Sequence, residues 1–129
     1  MPELFLDRNN SSTIGFVVAC IFCGAIDKAE LRAWAEHVIV TTDPHPTYIF
    51  ELLSFDEGLA HIFRVIGFAP SSGLSELEKI ALTGVTLMRG RKILGDGIIK
   101  ESPEQSLAAL TQAPQVLARF RETFPFIRI

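Results

Sequence analysis

The chain has 129 residues, a length at which one hydrophobic core is usual and two separate cores would each be marginal. Apolar residues make up 48% and charged residues 21%, which excludes disorder of the whole chain and the collagen-like, coiled-coil and disulfide-scaffold classes. Twelve basic and 15 acidic side chains give a net charge of −3, which opposes a general phosphate-binding surface and hence a nucleic-acid partner. We expect one domain over residues 1–129.

The first predicted helix begins after Ser11 or Ser12 and runs to Gly24. It is apolar nearly all round, which predicts a central position in the core. Its apolar stretch, 14–26, is shorter than the roughly 20 residues that span a bilayer. The N-terminus has neither the basic region nor the cleavage site of a secretory signal. We therefore expect a cytoplasmic protein that does not bind a membrane.

Cys20 and Cys23 lie in this helix at the spacing of a redox pair or half of a zinc site. A redox pair needs a low thiol pKa, and an apolar mid-helix position without a nearby basic side chain opposes that. A zinc site needs two more ligands, and no second cysteine pair exists to supply them. We predict reduced core thiols, no metal and no cofactor.

The second helix has the clearest start, because Asp27 and Glu30 match a capping box. Its apolar stripe includes Trp34 and lies at helical spacing. The prolines at positions 44 and 46 exclude helical conformation from the residues before them, which predicts a loop over 41–46. Pro46 then suits the first turn of a short helix. The apolar side of that helix comprises Tyr48, Ile49, Leu52 and Leu53.

Asp56 is expected to open a further short helix that Gly67 and Pro70 end. Its predicted buried stripe comprises Leu59, Ile62, Phe63 and Ile66. A turn at 71–73 precedes a longer helix, in which Gly84 predicts close packing of a neighbouring helix. The predicted stripe of that helix comprises Leu74, Leu77, Ile80, Ala81, Gly84 and Met88.

For residues 93–99 we favour a loop, with a hairpin around Gly95-Asp96-Gly97 as the alternative. Ser102, Pro103 and Gln105 then form a strong helix start. Pro114 divides this helix from the last one, whose apolar side is Val116, Leu117 and Phe120. The sequence as a whole predicts an all-α fold, a compact single-domain bundle of six or seven helices.

The sequence contains no complete catalytic motif. There is no Gly-x-Ser-x-Gly elbow, the Gly95-Asp96-Gly97 turn lacks the lysine of a phosphate loop, and the basic cluster 89–92 sits near a helix C-terminus, where the dipole favours cations. An enzyme, in the alternative that we keep, would be hydrolase-like. It would use His45 or His61 with Asp43 or Glu57.

Charge is unevenly distributed along the chain. Residues 1–70 carry nine acidic and four basic side chains, a net charge of −5, whereas residues 71–129 carry six acidic and eight basic side chains, a net charge of +2. An acidic surface favours fast association with a basic partner surface. We therefore expect a protein partner for the acidic half.

From Trp34 to Leu53 the chain combines an amphipathic helix, a polar break and a proline-started helix with the sequence Pro46-Thr47-Tyr48-Ile49-Phe50-Glu51-Leu52. This pattern, over residues 25–65, resembles small bacterial immunity proteins of polymorphic and contact-dependent growth-inhibition toxin systems. The resemblance implies a cytoplasmic, non-enzymatic protein that binds and blocks one cognate toxin domain. The resemblance transfers no binding residue, so the candidates come from the acidic half itself. The candidate partner-binding residues there are Glu36, Asp43, His45, Tyr48, Glu51, Asp56 and Glu57, with Tyr48 as an aromatic anchor.

A third hypothesis is a structural subunit that self-associates through the tail Phe124-Pro125-Phe126-Ile127. The same tail could instead fold back into the core. The sequence leaves the oligomeric state open.

Overall fold

The computed structural model describes residues 4–92 and 101–129, and all its regular elements in those ranges are helical. The seven α-helices are α1 (Ser12–Cys23), α2 (Lys28–Thr41), α3 (Tyr48–Leu52), α4 (Ile62–Ile66), α5 (Glu76–Met88), α6 (Pro103–Gln112) and α7 (Gln115–Thr123). A 3₁₀ turn, Leu59–His61, precedes α4. The predicted all-α class and number of helices are confirmed for the described residues. The choice between loop and hairpin at 93–99 lies outside them.

Reciprocal capping boxes begin three of the helices. At α2 the Glu30 N–H donates to Asp27 Oδ1 at 2.8 Å, and the Asp27 N–H donates to Glu30 Oε1 at 3.1 Å. The predicted box of Ser102 and Gln105 starts α6 in the same way. A third box, Ser75 with Glu78, starts α5. Each box satisfies N–H groups that a helix start otherwise leaves unpaired.

The chain forms two compact units. The first comprises Met1–Val18 and Asp27–Gly73, and the second comprises Ala19–Ile26 and Leu74–Ile129. The expectation of a single domain over residues 1–129 remains a prediction.

The core of the first unit contains Trp34, Leu31 and Ile49, which are fully or almost fully buried. Gly15 of α1 lies against the backbone of Ser71, and a Cβ on it would be 2.3 Å from the Ser71 carbonyl carbon. Only glycine permits such a close approach of a helix to a neighbouring segment.

The short helix predicted after Asp56 begins later than expected. Asp56 is exposed and caps nothing, and the chain enters the 3₁₀ turn from Gly58 instead. The predicted end is confirmed, because Gly67 follows α4 with φ +91°, in the left-handed region.

In the second unit α5 packs against α6. A Cβ on Gly84 would lie 2.6 Å from Ser106 O, which confirms the predicted close packing. The predicted stripe is partly wrong, because Leu77 and Met88 are exposed and Leu82 and Val85 are buried instead. Several sides of α5 are apolar, so periodicity alone does not determine which side faces the core.

The C-terminal segment folds onto α7. The Phe124 side chain is fully buried, and its ring centroid is 4.9 Å from that of Phe120. Phe126 meets the Phe124 ring edge-on and is partly exposed. Of the two alternatives for the tail, the structure favours packing against the core for Phe124.

Candidate functional site

An open groove of about 550 Å³ lies in the first unit, and α3, the turn after it and α4 line it. This is within the usual range of ligand pockets, roughly 300–1,000 Å³. The lining residues are Glu51, Ser54, Phe55, Asp56, Glu57, Arg64 and Val65. Phe55 and Val65 give the groove an apolar part, and the charged side chains surround it.

The orientation of α3 places Glu51 in the groove. Tyr48, Ile49 and Leu52 point into the core, so the intervening Phe50 and Glu51 face outward. The Leu53 N–H donates to Ile49 O at 3.2 Å and closes the last turn, after which the chain carries Asp56 and Glu57.

The carboxylates of the groove differ in their partners. Asp56 Oδ1 lies 4.0 Å from Arg32 Nη1, which also donates to Phe55 O at 2.8 Å. Glu57 Oε2 lies 3.6 Å from His61 Nδ1. Glu51 has no ion pair with any residue that the structure describes. Three carboxylates and one guanidinium, that of Arg64, therefore line the groove.

The structure brings three of the seven predicted partner-binding residues together here, namely Glu51, Asp56 and Glu57. The other four do not line the groove. Glu36 is exposed on α2, and Asp43 is exposed in the loop, before a cis bond to Pro44. His45 is half-buried in the same loop.

Tyr48 is a core residue and not the exposed anchor that the sequence suggested. Its side chain is 7% exposed, and its hydroxyl donates to Leu6 O at 2.6 Å. The Phe68 ring lies at 6.1 Å, edge-on. Burial, followed by the charge of Asp7, raises the pKa of Tyr48 well above its usual range.

Phe50 is the exposed aromatic residue that the sequence prediction missed. Its side chain is 54% exposed, and its ring centroid is 5.1 Å from that of His45. Helical geometry could have identified it. Two positions apart on a helix, Tyr48 and Phe50 point to different sides, and the predicted apolar stripe places Tyr48 on the buried side.

The two histidines of the hydrolase alternative differ in their surroundings. His45 Nδ1 lies 2.8 Å from Thr42 O, and because a carbonyl only accepts, Nδ1 is the donor. His61 Nδ1 accepts from the Arg64 guanidinium, so this nitrogen is engaged although Glu57 is near. Among the pairs predicted for catalysis, the structure places only His61 and Glu57 together.

The thiols of Cys20 and Cys23 are free, Cys20 fully buried and Cys23 half-buried. Burial raises the pKa of both thiols above the usual range, and for Cys20 the nearby Cys23 adds to this effect. Cys23 Sγ and Thr86 Oγ1 are hydrogen-bonded at 3.5 Å. This environment keeps both thiols protonated at neutral pH, as core thiols are.

Within residues 4–92 and 101–129, no three His, Cys, Asp or Glu side chains come together in a way that could hold a metal ion. The helices in these two ranges also include none with the length and apolarity needed to cross a membrane.

Comparison with models of protein families, with curated proteins and with solved structures found no match to this chain.

Proposed function

We propose that this chain is a non-enzymatic immunity or inhibitor protein that acts in the cytoplasm and neutralises a toxin domain by binding it. The observation that carries the proposal is the open groove with the three exposed carboxylates of Glu51, Asp56 and Glu57. A toxin that acts on nucleic acid presents a basic cleft. An acidic groove complements such a cleft and accelerates association with it.

The test begins with the gene next to that of this chain in the native genome. The purified neighbouring product is titrated with the wild-type chain and with the triple variant E51Q/D56N/E57Q. The matched control is E76Q/E104Q/E122Q, which removes three exposed carboxylates from the second unit. Both variants change the net charge equally, so overall charge does not distinguish them.

We expect the groove variant to bind about tenfold or more weakly, chiefly through a slower association rate, and the control to bind like the wild type. We also expect wild-type association to slow as salt increases. A neighbouring gene unrelated to toxins, together with no partner in a pull-down from the native organism, would overturn the proposal. Equal losses of affinity in both variants would show that the groove carboxylates do not contribute specifically to binding.

The hydrolase-like alternative has one specific support, the 3.6 Å separation of His61 Nδ1 and Glu57 Oε2. Turnover of chromogenic ester and phosphate substrates by the wild-type chain tests it. Activity that His61→Gln and Glu57→Gln abolish, and that His45→Gln leaves intact, would establish this alternative over the binding function.

A further inference from the structure

An exposed apolar surface adjoins the groove on α3. Phe50 is 54% exposed and Leu53 is 39% exposed. Three positions apart on a helical turn, they lie on the same side of it. We call these two side chains the α3 face. Isolated exposed apolar residues are ordinary, but aromatic residues, Phe among them, are enriched at the centre of protein interfaces, and Phe50 has an exposed aliphatic neighbour.

The α3 face and the groove belong to one continuous surface. Glu51 follows Phe50 and Ser54 follows Leu53, and both Glu51 and Ser54 line the groove. A partner that covers the α3 face therefore lies next to Glu51, the groove carboxylate on the same helix.

The groove itself suits a long cationic side chain. Its apolar part, chiefly Val65 because Phe55 is almost fully buried, can contact the alkyl stem of a lysine or arginine, and the three carboxylates can receive the charged head. The neighbouring α3 face suits an apolar side chain. On a partner helix, an apolar residue and a lysine or arginine three or four positions apart have their Cβ atoms about 5–6 Å apart.

We propose that the α3 face and the groove together bind a basic amphipathic helix of the partner, with an apolar side chain on Phe50 and Leu53 and a lysine or arginine in the groove. This inference rests on the proposed inhibitory function and specifies the part of the partner that is recognised. Charge selects this occupant: an acidic helix would meet three carboxylates of like charge against the one guanidinium of Arg64, and a second copy that pairs through this same face would bring two sets of these carboxylates together.

The probe is a capped synthetic helical peptide with leucines along one side and arginines one turn from them. A second peptide replaces every arginine by glutamate, and a third replaces every leucine by alanine. Binding is measured by fluorescence anisotropy and located by amide chemical shifts of the chain. The chain variants are F50A/L53A and E51Q/D56N/E57Q, with Leu107→Ala as the control because Leu107 is a comparably exposed leucine on α6.

We expect the basic peptide to bind, the other two to bind about tenfold or more weakly, and both chain variants to lose binding to a similar extent. The L107A control should bind normally, and shift changes should fall within residues 45–65. Equal binding of the acidic peptide, shift changes elsewhere, or full binding by F50A/L53A would overturn the inference. Dimerisation that F50A/L53A abolishes would identify a second copy as the occupant instead. Thermal melts of each variant verify folding.

These results are separable from those on the proposed function. A chain that neutralises its neighbouring toxin but binds no basic helix here would lose this inference and keep the function. A chain that binds the basic helix but has no toxin partner would keep this inference and lose the proposed function.

Discussion

At the scale of single residues, Tyr48 shows how one hydroxyl joins distant parts of a unit. Its hydrogen bond reaches Leu6, 42 positions earlier in the chain. Tyr48→Phe removes the donor and leaves the Leu6 carbonyl without this partner. We expect a loss of about 1 kcal/mol in the free energy of unfolding, as for a typical hydrogen bond, measured by urea denaturation at neutral pH. An unchanged free energy would contradict a role for this bond.

The same variant gives a pH dependence of known sign. The pKa of Tyr48 is raised in the folded state, so the folded state favours the protonated phenol. This contribution is fully present below the ordinary tyrosine pKa, about 10, and is lost as pH rises through the folded-state value. The stability gap between wild type and Tyr48→Phe should therefore narrow as the pH rises above about 10. Tyr48 is the only tyrosine, so its absorbance reports its titration.

The two cysteines should differ in their reactivity. At neutral pH a thiol reagent should modify the folded chain at least about tenfold more slowly than the unfolded chain, because burial raises the pKa of both thiols. Cys23 is half-buried and should react before the fully buried Cys20. Peptide mass mapping of partly labelled protein gives the order. Rapid labelling of both would contradict their burial.

At the scale of helices, the contact of α5 with α6 depends on Gly84. Gly84→Ala gains up to about 1 kcal/mol in helix propensity but forces a Cβ to within 2.6 Å of Ser106 O. The clash is with backbone, so we expect a net loss of about 1–3 kcal/mol by urea denaturation.

Gly58→Ala is the matched control for Gly84→Ala. A Cβ there would first meet His61 Cδ2 at 3.8 Å, an ordinary contact, and the backbone at φ −59° suits alanine. This substitution should be neutral or stabilising by up to about 1 kcal/mol. A stable Gly84→Ala chain would mean that α6 shifts without cost.

Helix starts were predictable where local chemistry determines them. The boxes at Asp27 and Ser102 each need only residues three positions apart, and both are present in the structure as predicted. The box at Ser75 has the same pattern, Ser75 with Glu78, but the apolar stripe predicted for this helix includes Leu74 and thus extends beyond the observed start. Which side of α5 is buried was not predictable, because it depends on where α6 packs and not on periodicity.

At the scale of the whole molecule, the charge division follows the two compact units. Residues 19–26 and 71–73 carry no charge, so the first unit has the net charge of residues 1–70, −5, and the second has +2. The count of charged residues along the sequence thus predicts which unit is acidic. It did not identify the groove, because Glu51 and Arg64 are brought together only by the packing of α3 and α4.

Two substitutions in the C-terminal tail test whether it packs into the core or mediates self-association. Phe124→Ala should cost about 3–5 kcal/mol, because the ring is fully buried against Phe120. Phe126→Ala should cost less than about 1 kcal/mol, since that ring is partly exposed. We expect light scattering to give the same mass for wild type and Phe126→Ala. An oligomer that Phe126→Ala dissociates would support the self-association hypothesis instead.

The approach of Gly15 to the Ser71 backbone bears on how related sequences should be compared. A Cβ at position 15 has no space, so every homologue with this fold should retain glycine there whatever its partner. Invariance at this position would therefore report geometry and say nothing of function. Substitutions at positions 51, 56 and 57, where no such constraint applies, would instead record changes of partner during evolution.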